Sequence, residues 1–185
     1  MTIKFIARNI VLAASSSFLV SCGNGGSVTD LPMLSAQFTP EQLAPPANSV
    51  SLRENDVLAD TVTLEVWGED IAQPAVRTTF TIRFDPAVLQ FVDFEPGDFF
   101  EQQALPSNVA YTVPTPTPAE DDLTVQIVKS NTPLGSQEDG IFVKLRFRVI
   151  AVGASPLVFE APSLSSTTGG IAQGVQWFGG RVDGL

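Results

Sequence analysis

The sequence predicts an all-β fold, a sandwich of short strands in two sheets packed face to face. Three observations predict it. From Val50 onward, apolar residues recur at every second position in several runs, the period of a strand with one buried side. Turn-forming groups rich in Gly, Pro and Asp separate those runs at short intervals. No segment beyond Cys22 carries the period of an amphipathic helix.

The amino terminus comes first and reads as an address. Lys4 and Arg8 precede an apolar run from Ile10 to Val20, which closes at Leu19-Val20-Ser21-Cys22. A basic head, a short apolar segment and a small residue before the cut are what an export signal needs. The run falls short of the roughly 20 residues a spanning helix requires. Residues 1–21 therefore read as a signal peptide, and Leu19 at minus three suits the lipoprotein pattern better than that of an ordinary signal peptidase. Cys22 is the only cysteine of the chain, so no intrachain disulfide can use it. A thioether to diacylglycerol accounts for it, and its acyl chains would hold the mature chain on a membrane, at about 0.8 kcal/mol per buried methylene. That covalent lipid is the one non-protein group expected; no cofactor is. Gly23 stands where a lipoprotein retained at the inner membrane usually carries Asp. By resemblance to lipoproteins of two-membrane bacteria, the expected location is the cell envelope, at the outer membrane.

Residues 22–48 carry Gly23, Gly25, Gly26, Pro32, Pro40, Pro45 and Pro46, among apolar residues that settle into no period. They read as a flexible tether reaching on the order of 30 Å; the alternative is that Leu31 to Phe38 packs as an extra strand or short helix. The folded domain is expected over residues 49–185. In it Val76, Thr78, Phe80, Ile82 and Phe84 alternate with Arg77, Thr79, Thr81 and Arg83, which puts the bulky residues on one face. Ile141, Val143, Leu145, Phe147 and Val149 alternate likewise with Phe142, Lys144, Arg146 and Arg148, giving one buried side and one basic stripe. Further strands are expected at Thr61 to Trp67, Leu89 to Phe94, Val109 to Val113, Leu123 to Lys129, Leu157 to Ala161 and Val175 to Val182. Asp85-Pro86, Pro96-Gly97-Asp98, Asp139-Gly140 and Gly179-Gly180 supply turns between them.

Composition narrows function. Loss of residues 1–21 removes Lys4 and Arg8 and no acid, leaving eight basic and twenty acidic residues, a net charge of −12. Such a chain repels phosphate backbones and anionic head groups, so nucleic acid is not an expected partner. The chain has no histidine, which removes the commonest general base, the commonest metal ligand and every Ser-His or Cys-His pair. An enzyme is not expected.

Several segments, taken in order, resemble one family. They are Thr61-Val62-Thr63-Leu64-Glu65-Val66, then Phe80-Thr81-Ile82-Arg83-Phe84-Asp85-Pro86-Ala87-Val88-Leu89, and the Gly97-Asp98-Phe99 turn. Asp139-Gly140-Ile141-Phe142-Val143-Lys144-Leu145-Arg146-Phe147-Arg148-Val149 and Gly180-Arg181-Val182 complete the succession. From about residue 50 to 183 the chain resembles a cohesin domain. The resemblance implies a nine-stranded jelly-roll sandwich, related to carbohydrate-binding modules, that binds calcium-loaded dockerin domains of other proteins. It further implies that the partner lies on one sheet, on the strands matching Leu89 to Phe94, Val109 to Val113, Leu123 to Lys129 and Ile141 to Val149. The outward residues there, by alternation, are Gln90, Val92, Tyr111, Gln126, Val128, Lys144, Arg146 and Arg148, with Tyr and Arg as anchors. The proline-rich acidic stretch Pro114 to Asp122 departs from the family pattern.

Other constellations carry less. Glu120-Asp121-Asp122 offers carboxylates for calcium, but not in the spacing of a known loop, and no metal is expected. Glu54, Asp56 and Asp60, or Glu69 and Asp70, could form a glycosidase pair, though twenty acids produce such pairs by chance. Trp67, Trp177 and Tyr111 could stack on sugars, but tryptophans in strand patterns are more often core. The expected function is a membrane-tethered, non-catalytic module that captures a protein partner, with polysaccharide processing as its setting. A carbohydrate-binding lipoprotein and a structural envelope protein are the alternatives.

Overall fold

The computed structural model describes residues 33–102, 108–130 and 134–185. The signal segment, Cys22 and the first part of the tether lie outside the described residues. Ten strands form: β1 (Ala36–Pro40), β2 (Ser49–Leu58), β3 (Thr61–Arg83), β4 (Leu89–Pro96), β5 (Val109–Thr112), β6 (Asp122–Lys129), β7 (Ser136–Val149), β8 (Gly153–Ser166), β9 (Gln176–Phe178) and β10 (Gly180–Gly184). A 3-10 turn, Phe99–Glu101, follows β4. None of the described segments is a helix long and apolar enough to cross a membrane.

β3 belongs to both layers of the sandwich. Its first part, from Thr61 to Gly68, pairs antiparallel with β2 and β7; its last part, from Arg77 to Arg83, pairs with β6 and β8. Between them Asp70 adopts a positive φ of 49° and the chain turns over, returning in the opposite sheet. The first sheet therefore runs β9-β2-β3-β7-β4 and the second β5-β6-β3-β8-β10-β1. β9 and β10 are one run interrupted at Gly179, pairing first with β2 and then with β8. Glycine is required at the interruption, since a Cβ at residue 179 would stand 2.0 Å from the Leu157 carbonyl oxygen.

The segment expected to be tether contributes β1. Its Ala36 and Phe38 are buried, and its five residues pair with β10. The alternative reading of an extra strand near Phe38 is the one the fold adopts, so the folded unit takes in β1 and extends ahead of residue 49. A run offering only two inward positions and ending on Pro40 has too short a period to announce itself in sequence.

The core lies between the sheets, where Phe80, Ile82, Leu64, Val66, Val125, Ile127, Leu145 and Phe147 are almost wholly buried. Thr78 to Phe84 alternates as expected, while Val76 is only half-buried and Ala75 takes an inward place beside it. Two bulges overturn the expected alternation elsewhere. On β7, Val143 faces Val66 but Ile141 faces Trp67, leaving Phe142 as an extra residue. Phe142 turns inward, not outward, its ring 4.5 Å from that of Phe99 and 5.2 Å from that of Phe100. On β4, Phe91 faces Phe147 and Asp93 faces Arg146, so Val92 is the extra residue. Asp93 thereby points outward and Phe94 inward, the reverse of simple alternation.

The strand ends define a lower and an upper end. At the lower end the amide of Ala36 donates to the Ala59 carbonyl (2.8 Å), Ser35 and Leu185 exchange two hydrogen bonds (3.0 Å each), and the Val149 amide donates to Asp60 (2.7 Å). The β2–β3 turn, the β7–β8 turn, the start of β1 and Leu185 thus meet there.

Candidate partner-binding face

The outer face of the first sheet is a lattice of internal ion pairs. Cross-strand partners place Lys144 opposite Glu65, Arg146 opposite Asp93 and Arg148 opposite Gln90. Lys144 Nζ lies 3.2 Å from Glu65, Arg146 pairs with Asp93, and Arg148 Nε is 3.7 Å from Asp60. The Asp93 hydrogen bond and charge raise the pKa of the Arg146 guanidinium above its already high ordinary value. Farther along, Arg53 pairs with Glu69 and its guanidinium sits 4.7 Å over the Trp67 ring, while Trp67 Nε1 donates to the same carboxylate (3.0 Å). The basic stripe read from β7 is therefore neutralised row by row.

The outer face of the second sheet is built differently. Cross-strand register aligns Thr112, Gln126, Thr79 and Ser163 across β5, β6, β3 and β8, and Thr124, Thr81 and Glu160 in the next row. Thr81 and Thr124 share a hydroxyl hydrogen bond (3.2 Å). Val128 and Arg77 oppose each other near the upper side, and the side chain of Arg77 makes no ion pair or hydrogen bond among the described residues. At the other side Arg83 draws Glu160 (2.9 Å), Asp122 (3.4 Å) and Asp121 (3.8 Å) together. Short β-branched and hydroxyl side chains dominate the middle, which leaves a flat surface whose hydrogen-bonding groups project no farther than one another.

The expected contact set does not share one face. β4 and β7 stand in the first sheet, β5 and β6 in the second, so the four strands named for the interface lie back to back. Gln90, Lys144, Arg146 and Arg148 line the paired first face, and Val92 sits in its bulge. Gln126 and Val128 are on the open second face. Tyr111 is on neither. It pairs with inward-facing Ile127, its ring lies 6.3 Å from that of Phe94, and its hydroxyl donates to the Gly97 carbonyl (3.0 Å), closing the gap between the sheets. Burial, with the nearby charges of Glu101 and Asp98, outweighs the Gly97 hydrogen bond and pushes the phenol up to about 12. The open face holds Arg77, Thr79 and Thr81 as well, which alternation along β3 had marked as outward without linking them to a partner.

The remaining candidates are accounted for locally. Glu120 accepts from the Thr117 amide (2.6 Å) within its own turn, and Asp121 and Asp122 face Arg83. Among the described residues no three acidic or thiol side chains are grouped to hold a metal. Glu69 is engaged by Arg53 and Trp67, and Asp60 by Arg148. Trp177 packs inward against Phe159 (5.1 Å) and Phe80 (5.7 Å), whereas Trp67 faces outward beneath Arg53 instead of entering the core.

Fold and surface together define a β-sandwich with one ion-paired outer face and one open outer face. A sequence model of the cohesin domain matches residues 51–176, and the chain belongs to the cohesin family. Solved cohesins share the fold. A type II cohesin from the cellulosome of Acetivibrio cellulolyticus superposes with a TM-score of 0.59 at 16% identity, covering 73% of this chain and 95% of that one. A non-cellulosomal cohesin from the archaeon Archaeoglobus fulgidus gives 0.51 at 16% identity, over 79% and 88% of the two chains. The sixth cohesin of scaffoldin B from Acetivibrio cellulolyticus, solved in complex with a dockerin, gives 0.52 at 14% identity, over 79% and 96%. Among curated protein sequences none matches this chain.

Proposed function

We propose that this protein is a non-catalytic cohesin, held on the outer membrane by lipid on Cys22, that captures a dockerin-bearing partner on the open face of its second sheet. The observation that carries this reading is the contrast between the two faces. Each of the basic side chains Lys144, Arg146 and Arg148 on the first is paired with a carboxylate of the chain and would have to be separated from it before a partner could use it, whereas the second presents Arg77 with no side-chain partner and a plane of hydroxyls. Any link to polysaccharide processing enters through the captured enzyme. Direct sugar stacking has little support, because the ring of Trp67 is covered by Arg53 and Trp177 and Tyr111 turn into the sandwich.

The test is capture of a dockerin domain, with and without calcium, by the compact unit Pro32–Leu185. Thr79→Arg, in the middle of the open face, should weaken capture at least tenfold, the equivalent of about 1.4 kcal/mol. Arg146→Ala, on the opposite face, should leave capture unchanged. Loss with Arg146→Ala and retention with Thr79→Arg would move the site to the first sheet.

A further inference from the structure

Nine large apolar side chains are exposed among the described residues, and five of them gather at the lower end. Met33 precedes β1, Leu58 closes β2 before the turn into β3, Ile150 and Val152 form the β7–β8 turn, and Leu185 follows β10. Met33 is 92% exposed, Leu58 73%, Val152 69% and Leu185 60%. The hydrogen bonds among Ser35, Ala36, Ala59, Asp60, Val149 and Leu185 hold these segments side by side. An exposed apolar cluster on a small domain marks a surface that another phase covers.

The place where the chain enters the domain says which phase. Met33 is both a member of the cluster and the residue through which the domain is joined to Cys22, with ten residues between them. Eleven residue steps span at most about 40 Å when fully extended. Resting on the reading of Cys22 as lipidated, we infer that the lower end is a membrane-contact surface, seating Met33, Leu58, Val152 and Leu185 in the interface of a zwitterionic phospholipid bilayer. Acidic groups in excess border the cluster: Asp121, Asp122 and Glu160 share the one cation Arg83, while Asp60 is matched by Arg148. An anionic surface would be repelled by them, so the fitting lipid is uncharged overall. Because strands run from the lower end to the upper, contact there stands both sheet faces upright and leaves the open face clear of head groups.

The experiment uses the full, processed chain in phosphatidylcholine vesicles, some containing lipids with a quencher on the acyl chain. Leu58→Cys and Val152→Cys are labelled with an environment-sensitive dye, as is Ile171→Cys, an exposed apolar site near the upper end. Lipidation leaves each variant one free thiol, and the mass of the amino-terminal fragment reports whether Cys22 carries lipid. Quenching at 58 and 152 should exceed that at 171 several-fold. Equal quenching at all three positions on lipidated protein overturns the contact surface while sparing the anchor. A Cys22 without lipid overturns both. Dyes that are shielded without lipid quenching, on a particle of twice the chain mass in detergent, would assign the cluster to a second copy and overturn the membrane inference.

Discussion

Truncation of Phe142 to alanine tests the inward bulge on β7 directly. The side chain is fully buried, and its ring contacts those of Phe99 and Phe100. Gly68, on the neighbouring strand β3, has no room for a Cβ, which would stand 2.7 Å from the Phe142 ring. A bulky residue closely surrounded on three sides leaves a cavity that its neighbours cannot fill. Phe→Ala at such sites costs about 3–5 kcal/mol, a large share of the roughly 5–15 kcal/mol that separates folded from unfolded states. At about 2–4 °C per kcal/mol for a domain of this size, the melting temperature should fall by roughly 10 °C. Had Phe142 pointed outward, as alternation through Ile141 to Val149 requires, the change would stay within about 0.5 kcal/mol. Urea unfolding of the 32–185 unit, followed by tryptophan fluorescence, reads the difference as a shift in midpoint at constant slope. A loss below about 1 kcal/mol would falsify the bulge and return Phe142 to the surface.

Three further outcomes follow from named contacts. Tyr111 is the single tyrosine, so ultraviolet absorbance at high pH follows it alone; its midpoint should lie near 12 rather than 10. Since the folded value is the higher one, the stability it contributes is complete below pH 10 and lost as pH rises towards 12; a midpoint at 10 in the folded protein would contradict its burial. Lys129, buried at the end of β6, donates to the Gln102 carbonyl and to Ser136 Oγ (3.0 Å), and burial lowers its pKa. Its ammonium therefore opposes folding at neutral pH and is relieved as pH rises through the folded value towards 10.5, so Lys129→Met should flatten the rise in urea midpoint over that window; an unchanged rise would place its cause elsewhere. Gly97→Ala would set a Cβ 2.0 Å from the Ile141 carbonyl oxygen and should destabilise the sandwich by about 1–3 kcal/mol in the same unfolding assay, whereas no loss would show that the β4 end can move away from β7.

Where one residue in two is apolar without interruption, as from Thr78 to Phe84, sequence fixes which side faces in. It fails where a strand gains a residue. Val92 and Phe142 are each the second residue set against one partner; Val92 gives no sign of the slip, whereas Phe142 gives a faint one, an aromatic in an outward series otherwise made of Lys144, Arg146 and Arg148. The candidate contact set divides between two faces for a different reason. Gln90 and Gln126 both point outward, as alternation says, but alternation carries no information about which layer a strand joins, and that is settled by β3 turning over at Asp70. Trp67 shows a third limit. A large ring at an outward position becomes tolerable because Arg53 and Glu69, on another strand and beyond the ring, happen to meet over it.

β1 runs antiparallel to β10 and begins at the lower end, where the chain from Cys22 arrives. A pull delivered through Met33 against a load held on the domain acts along the strand axis, at right angles to the bonds joining the two strands. All five residue pairs from Ala36 to Pro40 then resist together in shear, instead of parting one after another. The first segment to feel tension is thus joined in the geometry that withstands it best, and single-molecule stretching from residue 33 should meet a higher rupture force than stretching that peels β1 from Pro40.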